Sequence, residues 1–278
     1  MNDNGCSLEP CVEARRRLLA GEGQPLVFVD WERVLFLHFA MAAEDLRPHV
    51  PTPLELELHQ GMACVSLVCL TMRRFRPSSY RSVACLLRPL REERFLNLRT
   101  YVRHRDEPGA FFFHGWLSKP VPTALPSGLF GLPYAFGSLR YDHVLDNQSL
   151  RGQVTDSAGR TLAYRTTTTG GDRFAPCAPG SLASFAMERY TGFFTRSGQL
   201  RAFRIWHPRW SQTPLNISIE QDSLITSKFP WFTKAKFLGA NFAGGFPQVW
   251  LGRAQGIEKM NSATLPRRHV LSSFYDMP

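Results

Sequence analysis

An arginine in the middle of an alternating strand is the first candidate for chemistry in this 278-residue chain. In the stretch NLRTYVRH, Asn97, Arg99 and Tyr101 share one face of the predicted strand, because strand side chains alternate. An arginine among apolar neighbours needs either a carboxylate partner or an anionic ligand. The sequence leaves both open. If this face looks into a closed sheet, the three side chains line a pocket.

Three histidines and one glutamate are candidates for acid–base work. His38, His114 and His207 each lie in an apolar run, in LFLHFAM, FFFHGW and IWHPRW. A neutral core histidine and a proton-transferring histidine both fit such a setting, so both interpretations stay open. Glu188 falls on a predicted helix. It is either half of an ion pair on the helix face or a carboxylate that acts on something beneath the helix.

Local metal and nucleotide motifs are missing from the sequence. No two of the eight histidines stand two or four residues apart, and no CxxC pair is present. No P-loop, GxGxxG, HExxH or GxSxG pattern is present either. We therefore expect no metal and no cofactor.

The charge pattern argues against a nucleic-acid partner. The net charge is +10, but the arginines are scattered and no nucleic-acid-binding motif accompanies them. Some of these arginines are candidates to bind an anionic small molecule. No apolar run of about 18 residues and no signal-peptide pattern is found, so we expect a cytoplasmic protein without membrane contact. Homo-oligomer formation stays open.

Hydrophobic alternation and turn signals predict a mostly β chain with few helices. A short helix is expected at 12–20, and a second helix is expected after its cap Ser181, with Leu182, Phe185 and Arg189 on one face. The apolar stretch 25–41 is predicted to mix a short helix with a strand. Further strands are expected at 62–72, 97–104, 110–116, 198–210 and 215–224, with turns at 105–109, 146–147 and 156–159.

No internal repeat or linker divides the chain. We expect a leader over 1–24, a single domain over 25–253 and a C-terminal tail over 254–278. Many antiparallel strands around one core suggest a barrel or a strongly curved sheet.

Four stretches together carry a family resemblance. They are LFLHFAMAAEDLRPHVPTPLELELHQGMACVSLVCLTM, LNLRTYVRHRDEPGAFFFH, LFGLPYAF, and SFAMERYTGFF with RIWHPRW. Between about Trp31 and Trp250 the chain resembles the YqjF-like family of uncharacterised conserved proteins, which is grouped with the acetoacetate decarboxylase-like fold. The resemblance implies an antiparallel, cone-shaped, barrel-like sheet around a cavity, with a few short helices. It also implies that Asn97, Arg99 and Tyr101 face that cavity.

The chain departs from the decarboxylase pattern at two positions. The decarboxylase lysine, which forms a Schiff base with the keto acid, follows a Gly-x-Pro turn, whereas here Gly131-Leu132-Pro133 leads to Tyr134. YqjF-like sequences usually carry a glutamate before NxRTYV, and here that place is Leu96. A tyrosine cannot form an imine, so we expect no Schiff-base decarboxylation.

Three functions remain open. The first is a binder of an anionic (keto- or hydroxy-acid-like) or apolar metabolite, with aromatic walls from Phe111, Phe113, Phe136 and Trp206. The second is a lyase, hydratase, dehydratase or isomerase that uses tyrosine, histidine and glutamate for proton transfer and Arg99 as anion anchor. The third is a structural or interaction protein with a filled barrel. The candidate catalytic residues are Tyr134, His38, Glu188 and His207. The candidate ligand-binding residues are Asn97, Arg99, Tyr101, His114, Phe113 and Phe136.

Overall fold

The computed structural model describes residues 9–20, 25–78, 92–119, 131–144, 150–166 and 173–260. The turn predicted at 146–147, most of the predicted tail and parts of the predicted leader lie outside the described residues. Within the described ranges, no helix is long and apolar enough to cross a membrane.

Strands dominate the described chain. They are β1 (Pro25–Met41), β2 (Glu55–Leu56), β3 (Leu58–His59), β4 (Met62–Pro77), β5 (Glu92–His104), β6 (Glu107–Leu117), β7 (Tyr134–Asp142), β8 (Arg151–Asp156), β9 (Thr161–Thr166), β10 (Ala175–Pro176), β11 (Thr191–Arg196), β12 (Gln199–Trp206), β13 (Ser211–Leu215), β14 (Ile217–Gln221), β15 (Lys236–Gly252) and β16 (Gln255–Gly256). The helices are α1 (Pro10–Leu19), α2 (Ala43–Leu46), α3 (Leu182–Met187), α4 (Ser223–Thr226) and α5 (Ile257–Met260), with 3₁₀ turns at Arg47–His49 and Pro230–Lys234. The predicted mostly β class with few short helices is confirmed.

The strand pairings follow a ring. β5 pairs with β6, β6 with β11, β11 with β12, β12 with β15, β15 with β1, β1 with β4, and β4 with β5. The sheet is mixed, because β6 runs parallel to both β11 and β7 whereas the other pairings are antiparallel. The strands β7, β8, β9 and β14 continue from β6 as a branch. The ring encloses a space, and the candidate site lies in this space.

Two apolar cores lie on opposite faces of the ring strands. The ring core takes side chains from all seven ring strands, including Phe36, Leu70 and Phe203. The outer core combines the alternate side chains of the same strands, such as Leu35 and Leu98, with residues of the branch. Because both faces are buried, these strands have near-continuous apolar sequences with little visible period.

The first strand corrects one prediction. Residues 25–41 form a single 17-residue strand, not a short helix followed by a strand. Leu35, Leu37 and Phe39 enter the outer core, whereas Val34 and Phe36 enter the ring core. Burial on both faces hides the two-residue period that identifies a half-buried strand.

The two predicted helices and the long hairpin are present. The helix predicted at 12–20 corresponds to α1, and Ser181 caps α3 by accepting a hydrogen bond at 3.1 Å from the Ser184 backbone N–H. Helix α3 ends at Met187, so Arg189 lies beyond it and not on its face. The hairpin of β5 and β6 turns at 105–106, inside the predicted turn at 105–109, and β6 begins earlier than predicted, at Glu107.

A glycine at the contact between β15 and β1 has no room for a side chain. Gly245 has a φ of 104°, and a Cβ there would lie 1.9 Å from the Trp31 carbonyl oxygen. Because a backbone atom must move and the φ is unfavourable for other residues, we expect Gly245→Ala to cost about 3 kcal/mol of unfolding free energy. Urea denaturation followed by circular dichroism measures the loss. Gly244→Ala is the matched control, since its Cβ meets nothing within 4 Å; an equal loss in both variants would contradict this account.

Candidate binding site

A cavity of about 70 Å³ lies inside the ring, against the ring core. Its walls are mostly apolar and aromatic side chains, among them Phe36, Phe95 and Trp210. Polar side chains interrupt this lining: they belong to Asn97, Arg99, Tyr134, Arg189 and His207. We call it the central cavity. An apolar lining with a few converging polar groups is typical of small-molecule sites.

Arg99 is one of the two arginines in this lining. It is 9% exposed, and its guanidinium donates one hydrogen bond of 2.9 Å to the Ala186 carbonyl at the end of α3. The guanidinium carbon lies 5.2 Å from the ring centre of Phe36 and 5.7 Å from that of Tyr101. Among the described residues, no carboxylate forms an ion pair with Arg99. The sequence allowed either a carboxylate of the chain or an anionic ligand as the partner of Arg99. The lack of a described carboxylate partner favours the ligand.

Three lining residues each have a buried polar atom without a hydrogen-bond partner in the described part of the chain. These atoms are Trp31 Nε1, Asn97 Oδ1 and Arg99 Nε. A buried polar group left unpaired costs about 1–3 kcal/mol. Three such groups around one cavity mark a place where a polar ligand would be stabilised.

Two neutral titratable groups also line the central cavity. His207 Nδ1 lies 2.7 Å from the Pro208 carbonyl and so donates to it, and its ring stacks on Phe246 at 5.4 Å. Burial, with a smaller contribution from Arg99, lowers the pKa of His207 to about 4. Burial also raises the pKa of Tyr134 well above its usual value, and the Tyr134 ring packs against Phe95. Both side chains are uncharged at neutral pH.

The second arginine of the cavity is neutralised by a carboxylate. Arg189 forms an ion pair with Glu57 and donates a 2.6 Å hydrogen bond to the Phe185 carbonyl. Glu57 lies between β2 and β3, 132 positions away in the sequence, and also pairs with Arg103. Sequence reasoning placed Arg189 on a helix face, and nothing in the local pattern pointed to Glu57.

A buried chain of hydrogen bonds supports the arginines from behind. His38 Nδ1 lies 2.8 Å from Ser66 Oγ, which lies 2.6 Å from the Tyr101 hydroxyl. The other ring nitrogen of His38 lies 3.1 Å from Asn241 Oδ1. His38 and Tyr101 are fully buried and are not among the lining residues. Burial lowers the pKa of His38 to about 3, so His38 is a neutral support for the Tyr101 ring.

Glu188 faces away from the cavity lining. Its carboxylate accepts hydrogen bonds from the Tyr190 hydroxyl and, at 2.9 Å, from the Trp210 backbone N–H. Trp210 in turn donates its indole N–H to the Met187 carbonyl at 2.8 Å. Glu188 therefore holds the HPRW segment, which carries His207 and Trp210 to the cavity wall.

The remaining candidates lie elsewhere. Phe113 packs against Trp231, and His114 is buried beside Trp116 with its Nε2 lacking a partner among the described residues. Phe136 is 49% exposed on β7. Of the other proposed aromatic walls, Phe111 belongs to the outer core, and Trp206 is covered by α1, donating to the Cys11 carbonyl at 3.0 Å. The structure thus brings together Asn97, Arg99, Tyr134 and His207.

The two departures from the decarboxylase pattern have different positions. Tyr134 lies in the cavity wall, whereas Leu96 lies in the outer core on the opposite face of β5. No lysine is found among the lining residues that the structure describes, and Lys119 instead donates to the Glu92 carbonyl. Within the described ranges, no group of three or more His, Cys, Asp or Glu side chains is arranged to hold a metal ion.

Sequence comparison assigns the family. Residues 29–234 match the model of the DUF2071 family, whose description is "Uncharacterized conserved protein". The chain belongs to this family. It is 29% identical over 185 residues to the uncharacterized protein YqjF of Bacillus subtilis, an alignment that covers 65% of this chain and 72% of YqjF.

Solved structures of the acetoacetate decarboxylase-like fold resemble this DUF2071 protein. An acetoacetate decarboxylase-like enzyme from Sphingomonas wittichii superposes with a TM-score of 0.57 at 15% identity, covering 84% of this chain and 94% of the other. The enduracididine biosynthesis enzyme MppR complexed with pyruvate superposes with a TM-score of 0.54 at 14% identity, covering 83% and 88%. At such identities the similarity establishes the fold alone. It confirms the acetoacetate decarboxylase-like fold that the sequence motifs implied, although the sheet is mixed and not wholly antiparallel.

Proposed function

We propose that the central cavity binds a small organic acid, with Arg99 holding the carboxylate. The observation that carries the proposal is a buried guanidinium with no carboxylate partner among the described residues. An uncompensated charge is expensive in an apolar interior, and a bound carboxylate compensates it with short, charge-assisted hydrogen bonds. A neutral metabolite would leave that cost in place.

The other lining residues indicate the chemistry of the part of the ligand that lies beyond its carboxylate. Trp31 and Asn97 offer hydrogen-bonding atoms near the charge, whereas Phe36, Leu70 and Phe112 form apolar wall. A carboxylate on a short apolar tail, carrying at most one further polar group, matches this distribution. Keto, hydroxy and enoyl acids of about four carbons have this form. Binding of pyruvate by MppR, a protein of the same fold, supports the choice of acid.

Acid–base catalysis is less well supported than binding. Among the described residues of the lining there is no carboxylate, and His38 and Glu188 lie outside it. His207, with a pKa of about 4, is a weak base, and Tyr134, with its raised pKa, is a weak acid. Since the described part of the lining holds no lysine, Schiff-base decarboxylation is not part of the proposal.

Thermal-shift measurements test the proposal. Butyrate, 2-oxobutyrate, 3-hydroxybutyrate and crotonate are compared with butyramide, which replaces the carboxylate by a neutral amide of similar shape. A ligand at a hundred times its Kd stabilises the folded state by about 2.7 kcal/mol, so we expect at least one acid to raise the Tm by about 5 °C. Butyramide is expected to have no effect. An equal rise with butyramide, or no rise with any acid, would contradict the proposal, and native mass spectrometry of the purified protein independently detects a retained acid.

A further inference from the structure

The two arginines of the central cavity contact one aromatic ring. The guanidinium carbon of Arg99 lies 5.7 Å from the ring centre of Tyr101, and that of Arg189 lies 5.3 Å from the same centre. Tyr101 is fully buried and is fixed by its hydrogen bond to Ser66. The two positive charges are therefore close together, and both belong to the cavity lining.

The two arginines differ in how their charge is compensated. Arg189 is paired with Glu57, and the two side chains are only 8% and 13% exposed. Arg103, whose side chain is 44% exposed, contacts the other oxygen of the same carboxylate from the solvent side. Glu57 is also held by its backbone N–H, which donates a 3.0 Å hydrogen bond to the Tyr101 carbonyl. Arg99 has only the Ala186 carbonyl as its hydrogen-bond acceptor among the described residues.

We infer that Glu57 restricts the central cavity to ligands with a single negative charge. The well-enclosed groups Arg99, Arg189 and Glu57 together carry a net charge of +1, which one carboxylate compensates, whereas solvent screens the charge of Arg103. A second carboxylate on the ligand would have to compete with Glu57 for Arg189, or would remain buried near a like charge. Glu57 is thus a specificity-determining residue that acts through Arg189. This inference rests on the proposed function, because it concerns the acid bound at Arg99.

Burial strengthens the effect of these charges. Arg189 is well enclosed, so solvent screens its charge little, and a neutral partner at position 57 would leave a second uncompensated cation in the lining. Glutamine at position 57 keeps the length of the side chain and its hydrogen-bonding capacity. Only the charge is removed.

Isothermal titration calorimetry with butyrate and ethylmalonate tests the inference, because ethylmalonate is butyrate with a second carboxylate on the same carbon. At pH 7.5 we expect the wild-type protein to bind butyrate at least tenfold more tightly than ethylmalonate. In Glu57→Gln we expect the ratio of the two affinities to change at least tenfold in favour of ethylmalonate. Glu55→Gln, an exposed glutamate two residues away, is the matched control and is expected to keep the wild-type ratio.

A charge-restoring variant separates selectivity from misfolding. The double variant Glu57→Gln with Arg189→Gln again carries a net charge of +1, at Arg99, because it removes one charge of each sign. We expect the double variant to regain the preference for butyrate. Its selectivity also tests the inference if the Glu57→Gln protein alone folds poorly. A double variant that prefers ethylmalonate, or a Glu57→Gln protein with the wild-type ratio, would overturn the role of Glu57 while butyrate binding by the wild type still supports the proposed function. Failure of the wild type to bind either acid would overturn both.

Discussion

Replacing Arg99 by leucine is expected to weaken butyrate binding about a hundredfold and to change the Tm by only a few degrees. Loss of a buried charged partner typically costs about 2–5 kcal/mol of binding free energy, and each 1.4 kcal/mol corresponds to a factor of ten. Stability changes less because two effects oppose each other. The variant leaves the Ala186 carbonyl without its 2.9 Å hydrogen bond, but it also removes an uncompensated charge from an apolar interior.

Calorimetric titration and thermal melting of the Arg99→Leu protein provide the two readouts. Arg140→Leu is the control, because Arg140 is exposed on β7 and lies outside the cavity lining. This control is expected to bind butyrate as the wild type does. Unfolding of Arg99→Leu at room temperature would instead identify Arg99 as a structural charge, and unchanged affinity would remove it from the site.

The part of the site that lies on one strand could be predicted from the sequence. Asn97 and Arg99 alternate with Leu98 on β5, so any model that buries the leucine in one core turns the other two toward the opposite face. Alternation alone did not say that the opposite face was enclosed. The family resemblance supplied that expectation, and the ring of strand pairings now gives its structural basis.

Contacts between distant segments could not be predicted in this way. Glu57 and Arg189 are separated by 132 positions, and His38 and Asn241 by 203. Each of these residues has an ordinary local context, so only the folded chain shows that they are paired. Tyr101 illustrates the same limit, since it shares the face of Arg99 but ends in the hydrogen-bond chain behind the cavity.

Strand β15 was missed for a different reason. It pairs with β1 along most of its 17 residues, yet its sequence contains Gly239, Gly244, Gly245 and Pro247, residues that usually weaken or end a strand. Gly245 is needed because the Trp31 carbonyl approaches too closely for any side chain. Glycine and proline residues, of which Gly245 is required by a close backbone contact, thus hid the strand that completes the ring beside β1.

The free energy of unfolding is expected to fall steeply as the pH decreases from about 6.5 toward 4. Burial lowers the pKa of His38 to about 3, and burial is also the largest cause that lowers the pKa values of His114, His143 and His207 to about 4. In the unfolded chain these histidines bind protons near pH 6.5, so acid stabilises the unfolded state. Their contribution is complete above this range and is lost on acidification, at up to about 1.4 kcal/mol per pH unit for each histidine.

Urea denaturation between pH 7.5 and 4.5 measures how the free energy of unfolding changes with pH. The variant His114→Gln isolates the contribution of one histidine to this slope. Glu93 opposes the histidines, because burial raises the pKa of its carboxyl and the folded state then binds this proton more readily than the unfolded chain does. The net slope is therefore expected to be steepest above the range in which Glu93 titrates. His114 has no hydrogen-bond partner at Nε2 among the described residues, so glutamine there should reduce the slope by about 1.4 kcal/mol per pH unit with a smaller change at pH 7.5. A free energy of unfolding that stays constant between pH 6.5 and 5 would show that these histidines take up protons in the folded protein as readily as in the unfolded chain. His207 would then bring a further positive charge to the cavity at acidic pH, in addition to those of Arg99 and Arg189.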